Sequence, residues 1–302
     1  MPPNILFPNA RPQDFITEPI LECEYLDPGY SGHAADVWRV RTEKRAAALR
    51  IFNASAWNGP FWDGMRWLFH WLGDFRRKAA GRNRFLREAG GLPVPGVLAH
   101  GARNGLDYML MEWMPGLRME TFAELGPEGL RGFGRHLAAL HARTFPSSGT
   151  LHGAKGRPAA QFHVQLVETL NMLFESYYRD QPDFARRHQA MLRQARQARS
   201  ERCSPVLVDL GAGQYLRSER GELCALVDTD AYAIGPRELD FILLEYGLSP
   251  ALAKDFAKGY QEALPLPRLR EVRPVYRYLY RMMEVEGAVP LREWMEQEAI
   301  FP

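Results

Sequence analysis

The stretch LVDLGAGQYL, residues 207–216, sets one carboxylate, Asp209, behind a short apolar run and follows it with Gly211, Ala212 and Gly213. Small residues in that pattern make a loop rather than a helix or a long strand. Gln214 stands five residues after Asp209, and Asp228 stands nineteen after it, behind the apolar run CALV (224–227). Hard cations take oxygen ligands, and an aspartate with an amide carbonyl supplies them while leaving coordination sites open. The plainer alternative is that both aspartates make local hydrogen bonds in turns. The rest of the chain decides between them.

The 302 residues, 46% hydrophobic and 25% charged, suffice for one large domain or two lobes with cores of their own. The 38 basic and 36 acidic residues nearly cancel, to a net +2, so charge gives no argument for a nucleic-acid partner and none is expected. Cys23, Cys203 and Cys224 lack CxxC or histidine companions, which suggests neither a disulfide framework nor a zinc site and fits a reducing compartment. The opening MPPNILFPNARPQDF has no basic region followed by an apolar stretch, and no apolar run approaches the roughly 20 residues of a membrane span. A cytoplasmic protein is expected.

From Leu21 to Phe52 the pattern is β-like: ILECEYL, a turn at Asp27-Pro28-Gly29, then two strands joined around Glu43-Lys44. NRFLREAGG predicts a short helix stopped by Gly90-Gly91, and Asn104-Gly105 predicts a second hairpin. Beyond Pro115-Gly116 the character turns helical. Pro127 is a plausible first helical residue, and Leu130, Phe133, Leu137 and Leu140 mark a helix to about Arg143. Two helices follow over 161–178 and 183–199, then short strands around 206–208, 215–217 and 224–227, then a helical tail. That order is bilobal and α+β.

In kinase-type phosphoryl transfer a loop aspartate takes the hydroxyl proton, an amide oxygen five residues later binds magnesium, and a second aspartate behind a strand binds metal. Asp209, Gln214 and Asp228 stand at those spacings. With the upstream hairpins, the sequence resembles the protein-kinase-like fold, most closely its aminoglycoside phosphotransferase branch, over about residues 20–285. The resemblance implies a small β-rich N-lobe (1–114, with an aromatic-rich insert at 53–80) and a larger helical C-lobe (115–302). YLDPGYSGHAADVWRV (25–40) looks like the nucleotide-covering hairpin, with Gly29 and Gly32 in its turn and Val37 over the adenine. AALRIF (47–52) puts Arg50 at the phosphate-binding lysine position, and Glu88 in FLREAG is similar to the helix glutamate that pairs with it. The backbone of Glu112 to Met114 would lie beside the adenine, and Asp240 in VDTDAYAIGPRELDF would brace the catalytic loop.

What this implies is an ATP- and magnesium-dependent phosphotransferase, with GTP as the alternative nucleotide, acting on a hydroxyl of a small, sugar-like acceptor. Three positions depart from the family pattern: Arg50 for lysine, Leu207 for the histidine two residues before Asp209, and Gln214 for asparagine. They carry a second reading, a pseudokinase serving as a binding or scaffold module. A third reading is a lipopolysaccharide-core sugar kinase at the inner membrane, from RRKAAGRNRFLREAGGLPVP (76–95). A protein kinase is disfavoured, because GPRELDF follows Asp228 at once and leaves no activation loop.

Leu68, Trp71, Leu72 and Phe75 share one helical face ahead of basic residues. Packing on the N-terminal lobe is the favoured reading of that face, and membrane-surface contact through residues 61–78 the other. His152-Gly153 mimics a catalytic start but has Ala154 at the aspartate position, so 151–158 is expected to be a loop. His141 is expected to be structural, and Asp230 a solvated loop residue that could supplement the metal site. The arginines at 186–202 and 268–281 are expected on solvated faces; if either set lines the cleft, it favours a neutral or anionic acceptor.

Overall fold

Alternating residues and two tight turns in the first third of the chain give a five-stranded antiparallel sheet. The computed structural model describes residues 5–28, 33–52, 57–71, 75–151 and 155–302. Strands β1 (Glu22–Tyr25), β2 (Asp36–Arg41), β3 (Ala46–Phe52), β4 (Val97–Arg103) and β5 (Leu106–Glu112) lie in the order β1-β2-β3-β5-β4. Asn104 and Gly105 turn β4 into β5 with φ of +52° and +74°, the left-handed pair that Asn-Gly accepts most readily. One face of the sheet buries Val40, Leu49 and Ile51 against Phe15 and Ile16 of the N-terminal segment. That segment is pinned by Asp36, fully buried, which accepts the Leu6 and Phe7 amides at 2.9 Å. Val37, Arg50 and Met109 are directly opposed across β2, β3 and β5, so they share the other face, toward the second lobe.

Two helices follow β3: α1 (Pro60–Phe69) and α2 (Phe75–Gly90). The short helix expected at 83–90 is longer, because Ala79, Arg82, Asn83 and Leu86 recur at helical spacing and all are buried. The aromatic insert corrects a second expectation. It does not pack on the N-terminal lobe alone: Trp57 stacks on Phe52 of β3, while α1 lies on the C-lobe. There Gln165 donates to the Trp67 carbonyl at 2.6 Å, Tyr177 donates to Asp63, and Phe69 faces Phe162. Leu68 and Trp71 of the supposed membrane face are buried inside the protein. The side chains of Leu72 and Phe75 lie outside the described residues.

The C-lobe begins with β6 (Leu117–Arg118) and α3 (Pro127–His141), then a hairpin of β7 (Ser147–Thr150) and β8 (Lys155–Pro158). The hairpin corrects the loop expected at 151–158, although His152 to Ala154 lie outside the described residues. Next come α4 (Phe162–Leu173), running on through a π turn to Tyr178, and α5 (Pro182–Gln197). Strands β9 (Ser204–Leu207), β10 (Tyr215–Arg217), β11 (Leu223–Leu226) and β12 (Tyr232–Gly235) precede α6 (Glu238–Gly247), α7 (Pro250–Gln261), α8 (Arg273–Met282) and α9 (Leu291–Met295). These strands form two small sheets, β11-β10-β6 and β8-β7-β12-β9. Helices α3 and α7 touch backbone to backbone, since a Cβ at Gly134 would overlap the Phe256 carbonyl and the Tyr260 amide.

The second arginine set is on a solvated face only at Arg268 and Arg270. Arg277 and Arg281 are buried, and Arg273 and Arg277 grip the fully buried Glu245 of α6 at 3.1 and 2.7 Å. Arg277 also donates to the carbonyls of Gln297 and Glu298, which ties down the C-terminal residues. Among the described residues no helix is long and apolar enough to cross a membrane.

Candidate active site

The antiparallel pairing of β9 with β12 brings the acidic residues together. Leu207 pairs with Tyr232, and the ladder runs one step further as the Val208 amide donates to the Ala231 carbonyl at 3.2 Å. Continued by one more residue, that register sets Asp209 against Asp230 at the same end of the sheet, with Asp228 just beyond. The loop after Asp209 folds back on itself: Gln214 Oε1 accepts the Gly211 amide at 2.9 Å. The Val227 amide donates to the Gln214 carbonyl at 2.8 Å, lashing the Gln214 loop to the residue before Asp228. A fourth aspartate braces the arrangement from below, as expected. Asp240, on α6, accepts the Leu207 amide at 2.9 Å on Oδ1 and faces His141 Nε2 at 3.0 Å with Oδ2.

An ionised carboxylate can only accept, which makes His141 Nε2 the donor and leaves Nδ1 to accept the Tyr260 hydroxyl at 2.9 Å. Arg237 completes the chain by donating to that hydroxyl at 3.0 Å. Burial raises the Asp240 carboxyl above its ordinary value, and the bonds from His141 and Leu207 oppose the rise. His141 is accordingly buried and bonded within the fold.

Opposite the carboxylates stand two guanidiniums, that of Arg82 buried and that of Arg50 partly so. Arg50, on β3, reaches Asp230 Oδ2 at 2.8 Å and Asp228 Oδ1 at 3.7 Å through Nη2. Arg82, on α2, reaches Asp230 Oδ1 at 2.6 Å and the Thr229 hydroxyl at 3.2 Å. The expected Arg50–Glu88 pair is therefore corrected: Glu88 is exposed on α2, and Arg82 takes the inward position six residues earlier. Asp230 is likewise corrected from a solvated loop residue to one enclosed between two arginines, its side chain 13% exposed. Burial works against the charge on Arg50, but Asp230 and Asp228 outweigh it and raise its pKa. Burial and the neighbouring Arg50 lower that of Arg82. Asp230 is held below the usual carboxylate range, because Arg50 and Arg82 outweigh its burial.

Asp209 has the opposite environment. Burial, then the charge of Asp228, pushes its carboxyl up to about 8, and its Oδ1 is buried with no hydrogen-bond partner among the described residues. An orphaned acceptor of this kind suits a hydroxyl donor brought in by a ligand. Asp228 differs again, with a half-exposed carboxylate. Together with the Gln214 amide oxygen it offers the hard donors a magnesium ion takes, so the residues present fit that ion.

Val37 lies opposite Arg50 on the cleft face of the sheet. The Glu112 carboxylate turns away from that face to accept the Gly96 amide at 2.7 Å. Gly29 and Gly32 lie outside the described residues. Sequence reasoning missed Arg82, Thr229 and Glu286, the last a residue after α8 whose charge acts on Asp209. A charge at a core-facing position of α2, between Ala79 and Leu86, was the available signal for Arg82.

A profile of the phosphotransferase enzyme family (APH) matches residues 28–275. No curated protein matches the chain in sequence. Among solved structures, a Haemophilus somnus protein designated a fructosamine-3-kinase superposes with a TM-score of 0.65 at 16% identity, covering 92% of this chain and 90% of its own. Macrolide 2'-phosphotransferase MphH from Brachybacterium faecium superposes at 0.57 and 16% identity, covering 90% and 85%. Spectinomycin phosphotransferase APH(9)-Ia, in complex with ADP and spectinomycin, superposes at 0.57 and 12% identity, covering 89% and 82%. With the family profile spanning most of its length and a bilobal, protein-kinase-like fold, the chain belongs to the phosphotransferase enzyme family.

Proposed function

We propose that the protein transfers the γ-phosphoryl group of ATP, with magnesium, to a hydroxyl of a small, sugar-like molecule in the cytoplasm. The observation that carries this reading is the unpartnered Oδ1 of Asp209 at the sheet end shared with Asp228 and Asp230, facing Arg50. Asp209, in its ionised form, accepts the acceptor's hydroxyl hydrogen and aims its oxygen at the phosphorus; its raised pKa makes that form a strong enough base to take up the proton during transfer. Asp228 and Gln214 hold the metal, which supplies charge neutralisation along the phosphates. Arg50 contacts those phosphates, and Val37, Gly29, Gly32 and the Glu112–Met114 backbone enclose the nucleotide between residues 1–114 and 115–302. Catalysis is then positioning and charge stabilisation, with no covalent intermediate. A small-molecule acceptor is supported by the spectinomycin in complex with a structural relative.

The test is a melting-temperature titration with ATP and GTP, with and without magnesium, followed by an acceptor screen. Ligand binding to the native state alone raises the melting temperature by mass action, about 2.7 kcal/mol of stabilisation at a hundred times Kd. Wild type should show a magnesium-dependent rise that Asp228→Ala loses, and Asp209→Asn should keep the rise but not turn over. Normal turnover by Asp209→Asn would refute the assignment.

A further inference from the structure

The cationic side of the cleft is organised differently from the β3-to-helix pair the sequence suggested, and the difference gives two residues a task. We infer that Asp230, anchored by Arg82, is the carboxylate that orients Arg50 toward the nucleotide phosphates; the inference rests on the nucleotide reading of this cleft. Each oxygen of Asp230 is used once, Oδ1 by Arg82 at 2.6 Å and Oδ2 by Arg50 at 2.8 Å. A carboxylate held through both oxygens by charged donors is fixed in its plane and fixes the donors in turn. Both of its oxygens already face guanidinium cations, whose charge disfavours a metal ion beside them, which leaves that task to the half-exposed Asp228.

Arg82 is a positioning residue. Its side chain is 4% exposed, too enclosed to meet a ligand, and besides Asp230 it is held by one chain of three hydrogen bonds. Nε bonds the Thr229 hydroxyl at 3.2 Å, Thr229 donates to Asn83 Oδ1 at 2.7 Å, and Asn83 Nδ2 donates to the Pro95 carbonyl at 2.8 Å. The second arginine matters because Asp228 lies only 3.7 Å from the same Arg50 nitrogen. With Asp230 anchored, Arg50 stays on the enclosed carboxylate and Asp228 remains available. Without the anchor, Arg50 closes on Asp228 and blocks the metal carboxylate.

Calorimetric titration of the full chain with ATP plus magnesium, and separately with adenosine, tests this on wild type, Asp230→Asn, Arg82→Met, Arg82→Lys and the Asp230→Asn/Arg82→Met double variant. ATP affinity should fall about tenfold in Asp230→Asn and in Arg82→Met, one charged hydrogen bond's worth, with adenosine affinity within about twofold of wild type. Arg82→Lys should recover part of the loss, and the double variant should be no weaker than the weaker single one, since both break one chain of contacts. Unchanged ATP affinity in a folded variant overturns the inference, as do additive losses or a parallel fall for adenosine, the mark of mere structural support. Should Arg82→Met fail to fold, the isosteric Asp230→Asn decides by the same criteria. A wild type that binds no ATP defeats the nucleotide reading itself, a result distinct from wild-type binding with insensitive variants.

Discussion

Replacing Asp240 tests whether the loop carrying Asp209 is held from below. Asp240 accepts the Leu207 amide at 2.9 Å and the His141 ring at 3.0 Å, and neither the aspartate nor the histidine side chain is exposed. Asp240→Ala leaves two donors in a dry interior. An unsatisfied buried donor costs about 1–3 kcal/mol, so the pair amounts to about 4 kcal/mol. A melting entropy of about 2.1 cal/mol/K per residue over 302 residues gives about 0.6 kcal/mol per degree, and the melting temperature should fall by about 6 °C. Asp240→Asn behaves differently: its oxygen still accepts from Leu207, and its amide can donate to His141 Nε2 once the ring proton moves to Nδ1. The loss should stay near 1 kcal/mol, or about 2 °C. Activity should follow the loop, because a displacement of about 1 Å costs on the order of a hundredfold in rate. ADP release with an acceptor from the screen should thus fall about a hundredfold in the alanine variant, with the KM for ATP little changed, and less than tenfold in the asparagine variant. Calorimetric melting separates the two. If both variants melt together, or the alanine variant loses under 2 °C, Asp240 is not the brace.

Asp209 should make stability depend on pH in a stated direction. Its carboxyl, raised from 3.8 to about 8, keeps a proton in the native state that the unfolded chain has released. The stability this contributes is complete at low pH and is lost as pH rises through about 8. Asp209→Asn lacks that loss, so the gap between variant and wild-type melting temperatures should widen from pH 5 to pH 8.5; a constant gap would contradict the shift. Two glycines of α3 should part company. Gly134→Ala drives a methyl into the α7 backbone and should cost about 3 kcal/mol or more. Gly132→Ala meets nothing within 4 Å and should gain about 0.5–1 kcal/mol, both read from denaturant midpoints. Glu245→Ala strands Arg273 and Arg277 and should cost about 3–5 kcal/mol, measured the same way.

Local chemistry made much of this fold legible. The Asn104-Gly105 turn, the periodicity of α3 and the spacing from Asp209 to Gln214 and Asp228 are each written within one short stretch of chain, and the turn, the helix and the strands around the aspartates form where expected. β8 escaped notice because KGRP has no apolar alternation, its pairing with β7 being a backbone matter. The amphipathic face of α1 showed that something would be buried, but periodicity does not name the partner, which comes from α4 a hundred residues later. The same holds for charge. Arg277 looked solvated because its partners, Glu245 and the carbonyls near the C-terminus, are 18 to 32 residues away. Arg82 meets an aspartate 148 positions on, and Glu88 was preferred because it lies where an acid is usual.

Those distant contacts also bear on how the cleft works. α2 is fastened to the segment after Asp228 through Arg82 and Asn83, and β3 is fastened to the same segment through Arg50. The segment of α1 adds a second strap, with Trp57, just ahead of the helix, on β3 and the helix itself bonded to α4 and the π turn. Opening the cleft as a hinge at Glu112–Met114 would have to break the Arg50–Asp230 contact or carry α2 with it, and would also pull Trp57 from Phe52. Each rupture gives up an ion pair or an aromatic contact that water replaces only in part, a cost that grows with the number of groups separated together. The network around Arg50 is therefore also the network that sets the distance between the lobes, and on the proposed reading the phosphate-binding geometry is assembled before nucleotide arrives.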